Sequence, residues 1–357
     1  IGMSAGADSN HTSDHNVFIG VDSGYATTTG NANTAVGSYT MTTNTTGRQN
    51  VAVGGSSLNK NATGDYNVAV GYGALQNTNT DNNTGVGYNA LTTNTIGRNN
   101  IAIGMNALSA NTTGNQQVAI GVNALQNNVT GSNHIAIGNN ALQKLTTSNP
   151  TIAIGNSAGA LAVNNENSTF IGHMAGNNAT GQSNTALGYV AFQNNTSGDN
   201  NTALGSYTLN TTGTFSNNTA VGGSALQRAT TGNTNVAVGY QSAPNLTTGG
   251  SNTTLGGYSG QALTTGGDNV LLGNQAMKYL TDGNFNTVIG TQAMLTSNTT
   301  SNTGCVSIGY AGGNVNTSAV NGNYNTYVGT RAGTEASINY SAAIGYNAKA
   351  TASNQMV

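Results

Sequence analysis

The sequence predicts an all-β protein, a parallel β-solenoid of about 20 coils, and three observations carry the prediction. The pattern Asn-x-Ala-(Val/Ile/Leu)-Gly returns along the whole chain, with its anchor glycine at positions such as Gly37, Gly54, Gly71, Gly104 and Gly121. Fourteen of the twenty spacings between successive anchor glycines, from Gly2 to Gly345, are identical and define a 17-residue repeat. A disordered chain of this composition has no reason to keep that register, whereas a solenoid must keep it because each coil stacks on the last. The third observation is local: just before each anchor, aliphatic or β-branched residues alternate with a small one, as in Val51-Ala52-Val53 and Ile101-Ala102-Ile103. That is the period of a short strand, and the frequent glycine opposes a helix.

Each coil can be assembled from these positions, counted from the anchor glycine. Positions −3 and −1 predict the packed face of the strand, and the small residue at −2 a face that something approaches closely. Positions +3 and +4, as in Ala107-Leu108 and Ala276-Met277, predict a second short strand that sends one large side chain into the coil. Glycine stands at +10 in eleven coils, Gly47, Gly64 and Gly114 among them, after Thr-Thr or a similar pair, and predicts a turn with a left-handed residue. Position −4 is asparagine in fourteen coils, including Asn33, Asn50, Asn67, Asn83, Asn100, Asn201, Asn218 and Asn235. At the roughly 4.8 Å spacing of stacked strands, identical amides can bond to the copies above and below, so a structural asparagine ladder is expected.

Residues 1–357 are expected to form one continuous repeat domain, regular over 1–289 and irregular with longer loops over 290–357. The repeat runs to both ends, so the chain reads as a slice of a longer protein. Twenty coils would give a rod of roughly 95 Å. Three modest apolar side chains per coil make a thin core. The small-residue columns at −2 and +3 would admit another chain, which predicts a homo-oligomer or a filament.

Composition excludes several functions. Eight Lys and Arg against ten Asp and Glu, a net charge of −2, leave no basic footprint for nucleic acid. One cysteine rules out a disulfide framework, and no apolar stretch approaches the roughly 20 residues that span a bilayer. Calcium-binding β-rolls need an aspartate in every turn, hexapeptide solenoids an aliphatic residue at every sixth position, and ice-binding solenoids planar Thr-x-Thr arrays; the repeat supplies none of these. The glycine-rich turns lack the Lys-Ser/Thr of a phosphate cradle. His11, Asp14 and His15, near Asp8, read as a polar turn rather than a metal site. His134 and Cys305 read as substitutions in the asparagine ladder, and His173 as a surface or interface residue. No catalytic residue, cofactor or metal is therefore expected, and the chain reads as a non-enzyme. Tyrosines follow the anchor at Tyr72, Tyr88, Tyr189, Tyr240, Tyr310 and Tyr346, and one residue later at Tyr39, Tyr207 and Tyr258. They cover the edge of the coil or pack between chains, or form an exposed stripe that binds a glycan or protein of a host or cell surface. The elongated coils between Gly290 and Gly345 are where loops would project. Asn-x-Ser/Thr sequons such as Asn44-Thr45-Thr46 and Asn111-Thr112-Thr113 follow from composition.

Segments such as Asn67-Val68-Ala69-Val70-Gly71-Tyr72, Asn100-Ile101-Ala102-Ile103-Gly104 and Ser341-Ala342-Ala343-Ile344-Gly345-Tyr346 resemble the head repeats of YadA-like trimeric autotransporter adhesins. The longer unit, Gly87-Tyr88-Asn89-Ala90-Leu91-Thr92-Thr93-Asn94-Thr95, is similar to repeats of phage tail-fibre-like and bacterial surface proteins. The resemblance covers nearly the whole chain and departs from the adhesin heads in its longer period. It implies a left-handed coil, a homotrimer and a place on the cell or virion surface. The expected function is that of an extracellular fibre or adhesin rod presenting an attachment surface, the alternatives being a receptor-binding tail-fibre shaft and a self-assembling filament subunit.

Overall fold

The computed structural model describes residues 2–6, 13–146, 150–163, 165–295, 302–313, 322–334 and 338–357. Among them the fold is an all-β parallel solenoid with a 17-residue repeat, divided into two compact units, Ile1–Asn178 and Ala179–Val357. The boundary expected at 289/290 rests on longer coils that include residues 296–301 and 314–321, which lie outside the described residues.

In the first unit, ten three-residue strands run from β1 (Val17–Ile19) to β10 (Thr169–Ile171). Each pairs in parallel with the next, repeat position on repeat position: Val51, Ala52 and Val53 stand opposite Val68, Ala69 and Val70. The second unit repeats the arrangement from β11 (Thr185–Leu187) to β19 (Thr326–Val328) and on to β21 (Ala342–Ile344). Two two-residue strands, β20 (Gly333–Thr334) and β22 (Lys349–Ala350), form a second column in its last coils.

The strand faces the opposite way from the expectation. The small residue at −2 is the buried one: Ala52, Ala69, Ala102 and Ala119 have no exposed surface, while Ile101 and Ile103 are 40% and 38% exposed. Position +3 is likewise interior, with Ala107 and Ala124 fully buried. The reason is volume. The +4 side chains, Leu58, Leu75, Leu108 and Leu125, fill the lumen, and in these coils a small residue at −2 leaves them the room. The small residues therefore line the inner wall and offer no outer groove to another chain.

The second half of the coil also differs. Outside β20 and β22 it is a run of turns, in which positions +2 and +4 take the left-handed conformation even for large residues, with φ of +56° at Ser56 and +49° at Leu58. Such angles cost a β-carbon roughly 1–2 kcal/mol each and persist because neighbouring coils fix them. Ser56 N–H donates to Ser38 O of the coil before at 2.9 Å, and Leu58 N–H to Ala74 O of the coil after at 2.9 Å. Coil-to-coil bonding thus continues without extended backbone.

Two glycine columns are needed for different reasons. The anchors have φ near +130°, and a Cβ on Gly54 would lie 2.7 Å from the carbonyl carbon of Gly71. At +10, glycines such as Gly47 are not left-handed, so the conformation expected of that turn is not the one adopted. A Cβ on Gly47 would instead stand 2.6 Å from Gly64 O and 3.0 Å from the Asn61 amide. Close stacking imposes this glycine, not its dihedral angle.

Interior volume is traded within a coil. Where −2 is phenylalanine, +4 is glycine: Phe18 with Gly24 and Phe170 with Gly176, each ring occupying the space a +4 side chain would need. Phe170→Ala should cost about 3–5 kcal/mol in denaturant unfolding, as expected for a large-to-small core change, and Gly176→Leu should destabilise by overpacking. The double variant recreates the Ala102–Leu108 pairing of other coils and should recover most of the loss.

Candidate functional site

The most ordered chemistry in the molecule is a set of polar columns that run along each unit. At −4 each backbone N–H points to the previous coil and is received by the side-chain oxygen at the same position. Asn50 N–H donates to Asn33 Oδ1 at 3.0 Å, Asn67 N–H to Asn50 Oδ1 at 2.8 Å, Asn83 N–H to Asn67 Oδ1 at 2.9 Å and Asn100 N–H to Asn83 Oδ1 at 3.2 Å. The column in the second unit is formed by Asn201, Asn218 and Asn235 in the same way. Asn218 shows the full set. Its N–H and Nδ2 both donate to Asn201 Oδ1, at 3.0 and 3.3 Å, Nδ2 also reaches Gly232 O at 3.0 Å, and Oδ1 accepts from Asn235 N–H at 2.9 Å. All these asparagines are buried, so each unpaired group would carry its full desolvation cost.

Two further columns escaped the sequence reading. At −6, Asp, Asn or Ser receives the N–H of the previous coil: Arg48 N–H donates to Asp65 Oδ1 at 2.7 Å, Asp65 N–H to Asp81 Oδ1 at 3.0 Å and Asn115 N–H to Ser132 Oγ at 3.0 Å. At +7, buried asparagines close their own turn, as when Gly64 N–H donates to Asn61 Oδ1 at 3.0 Å and Asn61 Nδ2 to Gly64 O at 2.8 Å. Asn111 Nδ2 also reaches Asn94 Oδ1 of the coil before at 2.9 Å. In later coils aliphatic residues, Leu145, Leu246, Leu263 and Leu280, take this place. The asparagine of Asn-Thr-Thr-Gly was the available signal at +7; mixed residue types hid the column at −6. Because +7 is interior, Asn44 and Asn111 are fully buried, and those two sequons offer no accessible acceptor.

The anchor glycines Gly37, Gly54, Gly71, Gly104 and Gly121 lie directly after the strands and make backbone-to-backbone contact between coils. Tyr72, Tyr88, Tyr189, Tyr240, Tyr310 and Tyr346 are all exposed, and neighbouring rings meet: Tyr72 and Tyr88 stack with centroids 5.8 Å apart. Cys305 sits in the −4 column, its N–H on Asn286 Oδ1 at 2.9 Å and its Sγ on Gly322 O at 3.2 Å. Burial pushes its thiol up, away from a reactive thiolate. His173, Asp14 and His15 are exposed, and His11 and Asp8 lie outside the described residues. Among the described residues no group of three His, Cys, Asp or Glu could hold a metal ion, and the ion pair seen is the surface contact of Arg98 with Asp81 at 3.9 Å.

His134 is the imperfect rung. Its Nδ1 accepts from Thr151 N–H at 3.2 Å, but Nε2 is buried with no hydrogen-bond partner, and burial lowers its pKa from 6.5 to about 4. The unfolded chain takes up this proton as pH falls through 6.5, whereas the folded chain resists until about 4. Stability should therefore be full above 6.5 and fall by about 3 kcal/mol on the way down to the folded pKa. Denaturant unfolding across that range should show this slope in the native chain and lose it in His134→Asn, which restores the amide. Asn218→Ala should cost at least about 2 kcal/mol in the same measurement at neutral pH, since it strands the buried Asn235 N–H.

Comparison of the chain with protein-family models and with curated protein sequences gives no match.

Proposed function

We propose that the chain is a non-enzymatic structural element of an extracellular fibre, and that copies of it associate through the outward strand face to present an attachment surface. The observation that supports this most is the chemistry of that face. In the first unit, positions −3 and −1 of ten coils carry only Val, Ile and Thr, from Val17 and Ile19 to Thr169 and Ile171, with no charge among them. Seven of these twenty side chains are 36–47% exposed and the other thirteen partly exposed, which makes a mainly apolar stripe on the order of 1,000 Å². That exceeds the few hundred Å² usual for a monomer and matches the roughly 800 Å² per partner of a stable interface. Position for position, the self-association inferred from small residues moves to the aliphatic face.

Other features agree with a fibre. The coils are held mostly by hydrogen bonds between neutral groups, and eight Lys and Arg in 357 residues give few sites to proteases that cut at basic residues. The resemblance to trimeric adhesin heads favours three copies. The exposed tyrosines beside the stripe, Tyr72 and Tyr88 among them, are the surface we assign to a glycan or protein of the cell contacted.

Sedimentation at micromolar concentration tests the reading. The native chain should sediment as a defined oligomer, and Val53→Lys with Ile103→Lys should yield a monomer with an unchanged circular-dichroism spectrum, both positions being exposed. A native chain that stays monomeric would sink the proposal; open-ended growth would favour the filament.

A further inference from the structure

Among the described residues, four pairs of tyrosines meet across neighbouring coils. Tyr72 and Tyr88 are parallel within 13° at 5.8 Å between centroids, and Tyr324 and Tyr340 within 7° at 5.2 Å. Tyr189 with Tyr207 and Tyr240 with Tyr258 meet edge to face at 5.4 and 5.5 Å. Both members of each parallel pair are exposed. The chain has no tryptophan, and its single cysteine is buried, so among aromatic and thiol side chains the exposed tyrosines, these pairs included, are the groups a one-electron oxidant meets first.

Loss of one electron and one proton turns a tyrosine into a phenoxyl radical whose spin is shared between the oxygen and the ring carbons beside it. Two such radicals combine through those carbons. A carbon–carbon bond forms, and each ring regains aromaticity as the hydrogen on its bonded carbon moves to the oxygen. The product is two tyrosines less two hydrogens. A haem peroxidase balances the step, because one hydrogen peroxide accepts the two electrons and two protons and leaves as two waters.

The fold supplies what random tyrosines lack. The strand register holds each partner at one coil spacing, so a radical finds its neighbour by rotation of a side chain instead of by diffusion. We propose that these pairs are oxidative cross-linking sites, at which a haem peroxidase with hydrogen peroxide joins neighbouring coils through dityrosine. The bond between Tyr72 and Tyr88 closes a loop of a single coil, as does that between Tyr324 and Tyr340, and each fastens one coil to the next. The inference holds whether the chain acts as one copy or several, so it stands or falls separately from the assembly proposed above.

Dilute protein treated with the peroxidase and peroxide, digested and analysed by mass spectrometry, should yield peptides joined at Tyr72–Tyr88 and Tyr324–Tyr340, each two hydrogens lighter than the sum of its parts. Tyr88→Phe should lose the first link and keep the second, with an unchanged circular-dichroism spectrum. The same treatment in denaturant should scatter the links over many tyrosines. Links that are equally scattered in the folded chain, that form only between chains, or that do not form at all would overturn the proposal.

Discussion

A backbone N–H that leaves a turn pointing along the stack must find its acceptor in the next layer, and the side-chain oxygens of the −4 and −6 columns provide it. A strand three residues long satisfies few of its coil's amides. Backbone carbonyls of neighbouring coils receive most of the others, but the donors at −4 and −6 would be left unpaired if the side chain at the same repeat position in the neighbouring coil did not receive them. Asparagine suits −4 because a neutral amide both accepts and donates, so the same residue serves as rung above and rung below. A carboxylate in that buried place could only accept and would bring a charge with it. At −6 the column is nearer solvent, and Asp65, Asn115 and Ser132 serve equally.

The other constraints follow from keeping those columns in register. Coils must approach until Gly54 meets Gly71 backbone to backbone, which removes every β-carbon from the anchor position. The lumen left inside is filled chiefly by the +4 leucine, in places by the −2 phenylalanine. With the interior filled from the turn side, the aliphatic residues of the strand have nowhere to go but outward.

Sequence periodicity revealed the solenoid, its parallel register and the positions of Asn50, Asn67 and Asn100, because identical residues at a fixed interval are what stacked layers require. It placed Leu58 and Leu108 inside for the same reason. It misjudged the strand, since Val-Ala-Val normally packs its β-branched face, and only the small volume enclosed by each coil reverses that preference. Left-handed angles at Leu58 and Ser56 left no trace, as neither residue favours them. The −6 column was hidden by chemical equivalence: three residue types do one job, and a count by residue type sees none of them. Of the tyrosines after the anchor, the sequence showed the positions but left open whether they are exposed, and it did not reveal the pairing of Tyr324 with Tyr340.

The columns also run in opposite senses. N–H groups at −4 donate toward the chain's beginning, as Asn67 does to Asn50, and those at −6 toward its end, as Arg48 does to Asp65. Any cut between two coils therefore leaves dissimilar faces, one with a vacant acceptor at −4 and a vacant donor at −6, the other with the reverse. Such faces match head to tail, while like faces would set donor against donor. Whole coils can accordingly be duplicated, deleted or exchanged during evolution with every bond re-formed across the seam, provided the polarity of the insert is kept.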